Sequence, residues 1–278
     1  MIQLGMMQTL RIVKRVEFGV YLSDGSGEEN KILLPLKQVP EHAQTGDEVE
    51  VFVYRDSKDR LIATTNTPKL TLHSVAKVRV AQVGKVGAFL DWGLEKDLLL
   101  PYKEQTRRVT EGEECLVALY TDKSDRLCAT MNVYPYLSAD SPYKAEDRVS
   151  GTVYEISRNF GAFVAVDDKY SGLIPKKELY GTVQIGDVIK ARVTAVKEDG
   201  KLNLSIREKA YLQIDTDAQR VMDIIQSYDG VLPFTDKASP EVIKRETQMS
   251  KNEFKRAVGR LLKEGKIQIT ERVIRVVD

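Results

Sequence analysis

Pro35 and Pro101, Gly46 and Gly112, and Arg60 and Arg126 are each 66 residues apart. Three equal offsets mean an internal duplication, so the chain must fold as a series of small units rather than around one large core. A third copy follows, with Pro101 to Pro175 and Gly112 to Gly186 both spanning 74 residues and Arg126 to Lys201 spanning 75. Its fullest form lies between Gly151 and Ser205, through Phe160-Gly161-Ala162-Phe163-Val164, Gly172-Leu173-Ile174-Pro175, Gly186-Asp187-Val188 and Lys201-Leu202-Asn203-Leu204-Ser205. The apolar runs are short, rich in Val, Ile and Phe, and cut by Gly, Pro or charged turns, which predicts five strands and no helix. Five strands in so short a span form a small closed or partly open barrel.

The order of these landmarks resembles the RNA-binding repeat of ribosomal protein S-one, a five-stranded OB-fold barrel. The resemblance implies that Phe160 and Phe163 form a platform for stacked bases, each stack contributing roughly 1 to 3 kcal/mol whatever the base. Spacing alone puts the two rings on opposite faces of a regular strand, one in the barrel core and one outside. A bulge at Gly161 would turn both to one side. Lys197 and Lys201, around the last hairpin, are candidates to neutralise phosphates, with Lys176 and Arg158 beside the platform.

The copies differ in chemistry. RNA-binding repeats of this type usually carry a His after the Gly-Leu-Val run, and here that position is Pro35, Pro101 and Pro175. The aromatic pair is Phe18 with Tyr21 in the first copy, and Val86 with Phe89 in the second. At the hairpin, Asp56 with Arg60 and Asp122 with Arg126 match the family's polar pair, whereas the third copy has Lys197 with Lys201. A purely structural hairpin uses Asp and Arg in the same way, Asp accepting from turn amides and Arg packing its stem. Phe18, Tyr21, Arg60, Phe89, Trp92 and Arg126 therefore form a second set of RNA-binding candidates. For Trp92, at a strand end, stacking on a base and packing at an edge are both open.

Pro135, Pro142 and the run Ser138 to Ser141 read as a linker that hinges the third barrel from the first two. After Tyr211 the periodicity becomes helical. Ala218, Val221, Met222, Ile224 and Ile225 form one apolar face, ending near Asp229-Gly230. Ser239 caps a second helix with Pro240 in its first turn, and Ser250 with Glu253 forms a capping box for a third. Phe254, Val258, Leu261 and Leu262 make the buried stripe of that third helix. Gly265 ends it, and segments 266–270 and 273–277 read as a hairpin, so the whole resembles a winged helix-turn-helix. Lys251, Lys255, Arg256 and Arg260 give the third helix the one-sided charge that meets phosphates. A solvated face or a protein-docking surface would look the same.

The expected architecture is mainly β and multidomain: three tandem five-stranded OB-fold barrels (1–68, 69–142 with the linker, 143–211) and an α+β winged helix (212–278). This order resembles the conserved virulence factor B family, which implies an RNA-binding regulator of gene expression, cytoplasmic and without cofactor. Composition agrees. No apolar run approaches a membrane span and no leader opens the chain. Two histidines, His42 and His73, leave little for a metal site, and scattered carboxylates argue against a nuclease. Cys115 and Cys128 read as buried structural thiols. The net charge of +1 hides a gradient, from 8 Lys+Arg against 10 Asp+Glu in residues 1–68 to 12 against 10 in residues 143–211 and 12 against 11 in residues 212–278. A polyanion should prefer the C-terminal half. The expected partner is single-stranded RNA, held on the third barrel and the winged helix, with no metal, membrane or small-molecule substrate. The alternatives are duplex DNA read by the winged helix, and a protein adaptor on the ribosome or an RNA-degrading assembly.

Overall fold

The computed structural model describes residues 1–26, 30–179, 183–207 and 210–277. They divide into two units, 1–206 and 207–278. The first unit holds three five-stranded sheets. The strands are β1 (Met7–Val16), β2 (Gly19–Ser23), β3 (Lys31–Pro35), β4 (Glu48–Arg55) and β5 (Leu61–Thr64); then β6 (Val75–Val83), β7 (Gly87–Asp91), β8 (Leu98–Pro101), β9 (Glu114–Thr121) and β10 (Leu127–Thr130); then β11 (Arg148–Ser157), β12 (Gly161–Val166), β13 (Tyr170–Pro175), β14 (Val188–Val196) and β15 (Leu202–Ser205). The first and third sheets close into barrels in the order β1-β2-β3-β5-β4 and β11-β12-β13-β15-β14. In the second, β8 and β10 are the ends of an open sheet ordered β10-β9-β6-β7-β8.

Each copy repeats the same local devices. The register of the first strand shifts between Ile12 and Lys14, between Val80 and Gln82, and between Val153 and Glu155, so each barrel is bent by a bulge at the same place. Before the fourth strand, Asp47, Glu113 and Asp187 each accept a hydrogen bond from a backbone N–H three residues earlier, at 2.8, 3.0 and 2.8 Å. These carboxylates satisfy turn donors that would otherwise face water.

The barrels are not independent beads. In β4, Val49, Val51 and Val53 point into the first barrel, whereas Phe52 and Tyr54 point out and enter the core of the second. Phe52 is fully buried there, with Trp92 edge-on at 5.6 Å. In β9, Leu116 and Ala118 turn away from their own core to meet Tyr154 and Ala165 of the third barrel. Strands buried on both faces lose the alternation of a half-exposed sheet, and the runs Val51–Tyr54 and Cys115–Leu119 show it.

The segment read as a hinge is packed instead. Val133 is fully buried beside Tyr154 in the seam, and a single helical turn, Tyr134–Tyr136, leads to Ser138. Ser138 then bonds along β13: its N–H donates to Lys169 O at 2.8 Å and its carbonyl accepts from Ser171 N at 2.9 Å. The linker is thus an added rung of the third barrel, so its prolines shape a turn and do not mark a free joint.

The second unit comprises α1 (Ala210–Ser227), β16 (Val231–Leu232), α2 (Pro240–Thr247), α3 (Lys251–Lys263), β17 (Ile267–Ile269) and β18 (Ile274–Val276), with sheet order β16-β18-β17. It is a winged helix. Ser239 caps α2, and Ser250 with Glu253 forms the reciprocal box at α3, with bonds of 2.8 and 3.3 Å. The buried side of α3 is Phe254, Ala257, Val258 and Leu261, while Leu262 is 46% exposed, so Ala257 takes the place expected for Leu262. Short β16 was not visible in the sequence: Val231 and Leu232 follow the helix end at Asp229-Gly230, and only pairing with β18 makes them a strand. Among the described residues no helix is long and apolar enough to cross a membrane.

Candidate nucleic-acid interface

One rim is built three times over. The glycine that opens the second strand of each barrel pairs with the proline that ends the third: Gly19 with Pro35, Gly87 with Pro101, Gly161 with Pro175. A methyl group on Gly161 would collide with the carbonyl oxygen of Ile174, and its φ of 122° also favours glycine. The residue after the proline donates back to the residue before the glycine: Leu36 N to Phe18 O at 3.0 Å, Tyr102 N to Val86 O at 3.3 Å, Lys176 N to Phe160 O at 3.0 Å. This closes the rim and leaves Phe18, Val86 and Phe160 standing out, 58, 60 and 63% exposed.

At the third rim Phe160 meets Phe163 with ring centroids 6.4 Å apart and planes at 60°. Both rings are on one side, as a break at Gly161 allows, but they are not equal. Phe163 is half-buried, backed by Tyr154 at 6.2 Å and part of the seam with the second barrel. Phe160 is the ring offered to solvent, with Ile156 at 38% exposure and the exposed cations Arg158 and Lys176 on the same copy. Burial holds the Tyr154 phenol above its ordinary pKa, so it stays neutral.

The hairpin cations divide. Lys197 is exposed. Lys201 is not free: it bonds Asp199 at 2.8 Å and lies 5.7 Å from the Tyr134 ring. That hydrogen bond draws the lysine above, and the aspartate below, their ordinary values. Gly200 beside it abuts the Ala139 carbonyl, so this hairpin docks on the linker. Lys201 is therefore a structural cation, and Lys201→Gln in the full chain should change affinity for single-stranded RNA less than about twofold, while Lys176→Gln lowers it measurably in the same titration.

The first two copies have the second set of candidates. Tyr21 and Phe89 are half-buried. Arg60 folds onto Asp56 at 2.7 Å, and the same carboxylate accepts from the N–H groups of Lys58 and Arg60 at 2.9 Å each. Asp56 is held below the usual carboxylate range by the Arg60 hydrogen bond. Asp122 likewise caps its own turn, but Arg126 reaches Asp59 of the first barrel at 3.2 Å, and Arg55 Nε reaches the Asp125 carbonyl at 3.1 Å. The two hairpins clasp each other, so Arg60 and Arg126 are both engaged in ion pairs while their side chains stay exposed. For Trp92 the RNA-binding candidacy is corrected: it is 3% exposed and its Nε1 donates to Lys96 O at 2.7 Å, so it is core. The position after each proline is Leu36, Tyr102 and Lys176 in turn, and of these only Lys176 was a candidate from the sequence. The guanidinium of Arg108 lies 4.4 Å from the Tyr102 ring, and Leu36 is 50% exposed.

On α3, Lys255 and Arg256 are exposed and Lys251 is half-buried. Arg260 pairs with Asp215 at 3.1 Å and Glu264 at 2.7 Å while its side chain stays 42% exposed. Cys115 and Cys128 are buried free thiols, each pushed up to about 11 by desolvation and therefore unreactive.

Comparison with known proteins assigns every copy. The S1 domain family matches residues 4–66 and 74–132, the second domain of virulence regulatory factor CvfB matches 137–208, and the CvfB-like winged helix domain matches 219–276. The uncharacterized protein YitL of Bacillus subtilis is 32% identical over 274 residues, covering 95% of this chain and 90% of its own. Conserved virulence factor B of Staphylococcus saprophyticus is 30% identical over 284 residues, covering 96 and 95%. A crystal structure from Streptococcus pneumoniae, described as a multidomain protein with nucleic acid binding domains, aligns over 99% of this chain and 98% of its own, with 25% identity and a TM-score of 0.50.

Proposed function

Because the chain belongs to the conserved virulence factor B family, a nucleic-acid-binding regulator by its S1 and winged-helix domains, we propose that its ligand is single-stranded RNA and that it regulates gene expression after transcription, in the cytoplasm and without catalysis. One observation carries this reading: Phe160 stands 63% exposed on a rigid rim, hydrogen-bonded through its carbonyl to Lys176 and followed by a second ring, Phe163. An exposed ring whose carbonyl accepts from the backbone N–H of an exposed lysine, with exposed Arg158 two residues before it, fits an unpaired base and its phosphate. In a duplex the bases are already stacked on each other and offer no face.

The strand stacks a base on Phe160, with the edge of Phe163 flanking it, while Arg158, Lys176 and Lys197 neutralise the backbone. Lys255 and Arg256 of the winged helix provide a second phosphate-binding surface. Asn252 is the one amide side chain on α3 that could pair with a base edge, and the cations are assigned to phosphates, so affinity should depend on strand state more than on sequence.

The test is fluorescence anisotropy of the full chain with single-stranded RNA and with duplex DNA of the same sequence, over a range of salt. RNA should bind more tightly, with log affinity falling against log salt at a slope of about −3.5 if five cations each neutralise one phosphate. Preference for the duplex would replace this reading with a transcription regulator acting through α3. Binding of neither would leave the adaptor reading, in which the barrels hold protein.

A further inference from the structure

Gly259 lies in the middle of the exposed face of α3. Phe254, Ala257, Val258 and Leu261 form the buried stripe, and at 3.6 residues per turn Gly259 projects from the opposite side. Around it, at seven, four and three residues before and four after, stand Asn252, Lys255, Arg256 and Lys263, all exposed.

A methyl group built on Gly259 meets nothing within 4 Å, so packing of the domain does not call for glycine here. Its backbone is ordinary right-handed helix, so no turn calls for it either. Glycine in an exposed helix interior weakens the helix, because its backbone loses the most freedom on folding. The sequence nevertheless leaves the centre of this face bare.

The charges around the bare spot are available. Among the described residues, no carboxylate lies within 4 Å of the charged nitrogens of Lys255, Arg256 or Lys263, whereas Arg260, at the edge of the face, is held by Asp215 and Glu264. Cations outside any salt bridge, Arg256 feeling only the longer-range attraction of Glu253, surround a patch without side chains and suit an anion that must approach the helix backbone more closely than a Cβ would allow. A protein partner with an apolar contact surface would need the opposite arrangement.

We propose that Gly259 marks where the phosphodiester backbone of a bound nucleic acid lies directly against α3, gripped by Lys255, Arg256 and Lys263. This rests on the nucleic-acid reading above and adds a contact point that charge counting could not supply. The missing side chain sets how close the backbone comes, and the cations then act at shorter range, where Coulomb attraction is stronger.

The experiment uses full-length wild type, Gly259→Ala, Gly259→Gln and, as an edge control, Leu262→Gln. Each is melted, and each is titrated with single-stranded RNA and with duplex DNA of the same sequence. Gly259→Ala should raise the winged-helix Tm by about 4 °C, since alanine favours helix and the space is open. Gly259→Gln should fold at least as well as wild type, yet bind about tenfold more weakly. Leu262→Gln should bind within about twofold of wild type. A weaker RNA arm, a weaker duplex arm, or both would support the contact and identify the strand that makes it. A well-folded Gly259→Gln with wild-type affinity in both arms would overturn the proposal while leaving nucleic-acid binding intact. Wild type binding neither strand would overturn both.

Discussion

Phe52→Ala should lower the stability of the first two barrels together by about 3–5 kcal/mol, the cost of truncating a large buried aromatic. The ring belongs by sequence to the first barrel and by packing to the second. It is fully buried, edge-on to Trp92 at 5.6 Å, with Tyr54 at 6.4 Å, inside a core otherwise made of residues from Leu70 to Met131. Removing it opens a cavity in the second barrel and loosens the strand that supplies it in the first. The chain has one tryptophan, so urea unfolding followed by its fluorescence reports the second barrel directly. The expected record is a midpoint shifted down with an unchanged slope, accompanied by faster proteolysis within residues 1–64. A Trp92 transition at the wild-type midpoint would mean that the two barrels do not share a core.

The same strand shows what sequence reading can and cannot reach. Landmarks that a barrel needs for its own closure were legible, because each copy must solve the same local problem: Gly161 must be glycine where Ile174 O approaches, and Ser250 with Glu253 must cap the helix that follows. Contacts between copies were not legible, because they depend on which copy lies beside which. Phe52 looks like any core aromatic of its own barrel, Arg126 looks like the partner of its own Asp122, and the linker prolines look like a hinge. In the structure Phe52 fills the neighbouring core, Arg126 crosses to Asp59, and Ser138 is sewn onto β13. The signal available beforehand was loss of alternation: four consecutive buried residues in β4 and five in β9 mean a sheet covered on both faces. The candidate site divides in the same way. Phe160, Lys176 and Lys255 face solvent as their spacing suggests, while Trp92, Lys201 and Arg260 are taken up by partners that spacing does not name.

Phe160→Ala is the functional counterpart, with an expected 5- to 150-fold loss of affinity for single-stranded RNA, the equivalent of one stacked base at about 1–3 kcal/mol. The ring is 63% exposed and touches the fold chiefly through the edge of Phe163, so its removal should leave the melting curve nearly unchanged. Phe163→Ala is a poorer test. Its ring also packs against Tyr154 in the seam between the second and third barrels, so a loss of binding there would mix stacking with loosened structure. Phe18→Ala is the informative control, since Phe18 occupies the equivalent rim of the first barrel at similar exposure but bonds to Leu36 where Phe160 bonds to Lys176. If stacking needs a cation beside it to hold the phosphate, Phe18→Ala should cost less than Phe160→Ala in the same titration, and the salt slope should be unchanged by either, because neither ring displaces a counterion. Equal losses from both would spread the RNA along the barrels. No loss from Phe160→Ala in a folded protein would take the third rim out of the binding surface and leave the basic face of α3 as the place where nucleic acid is held.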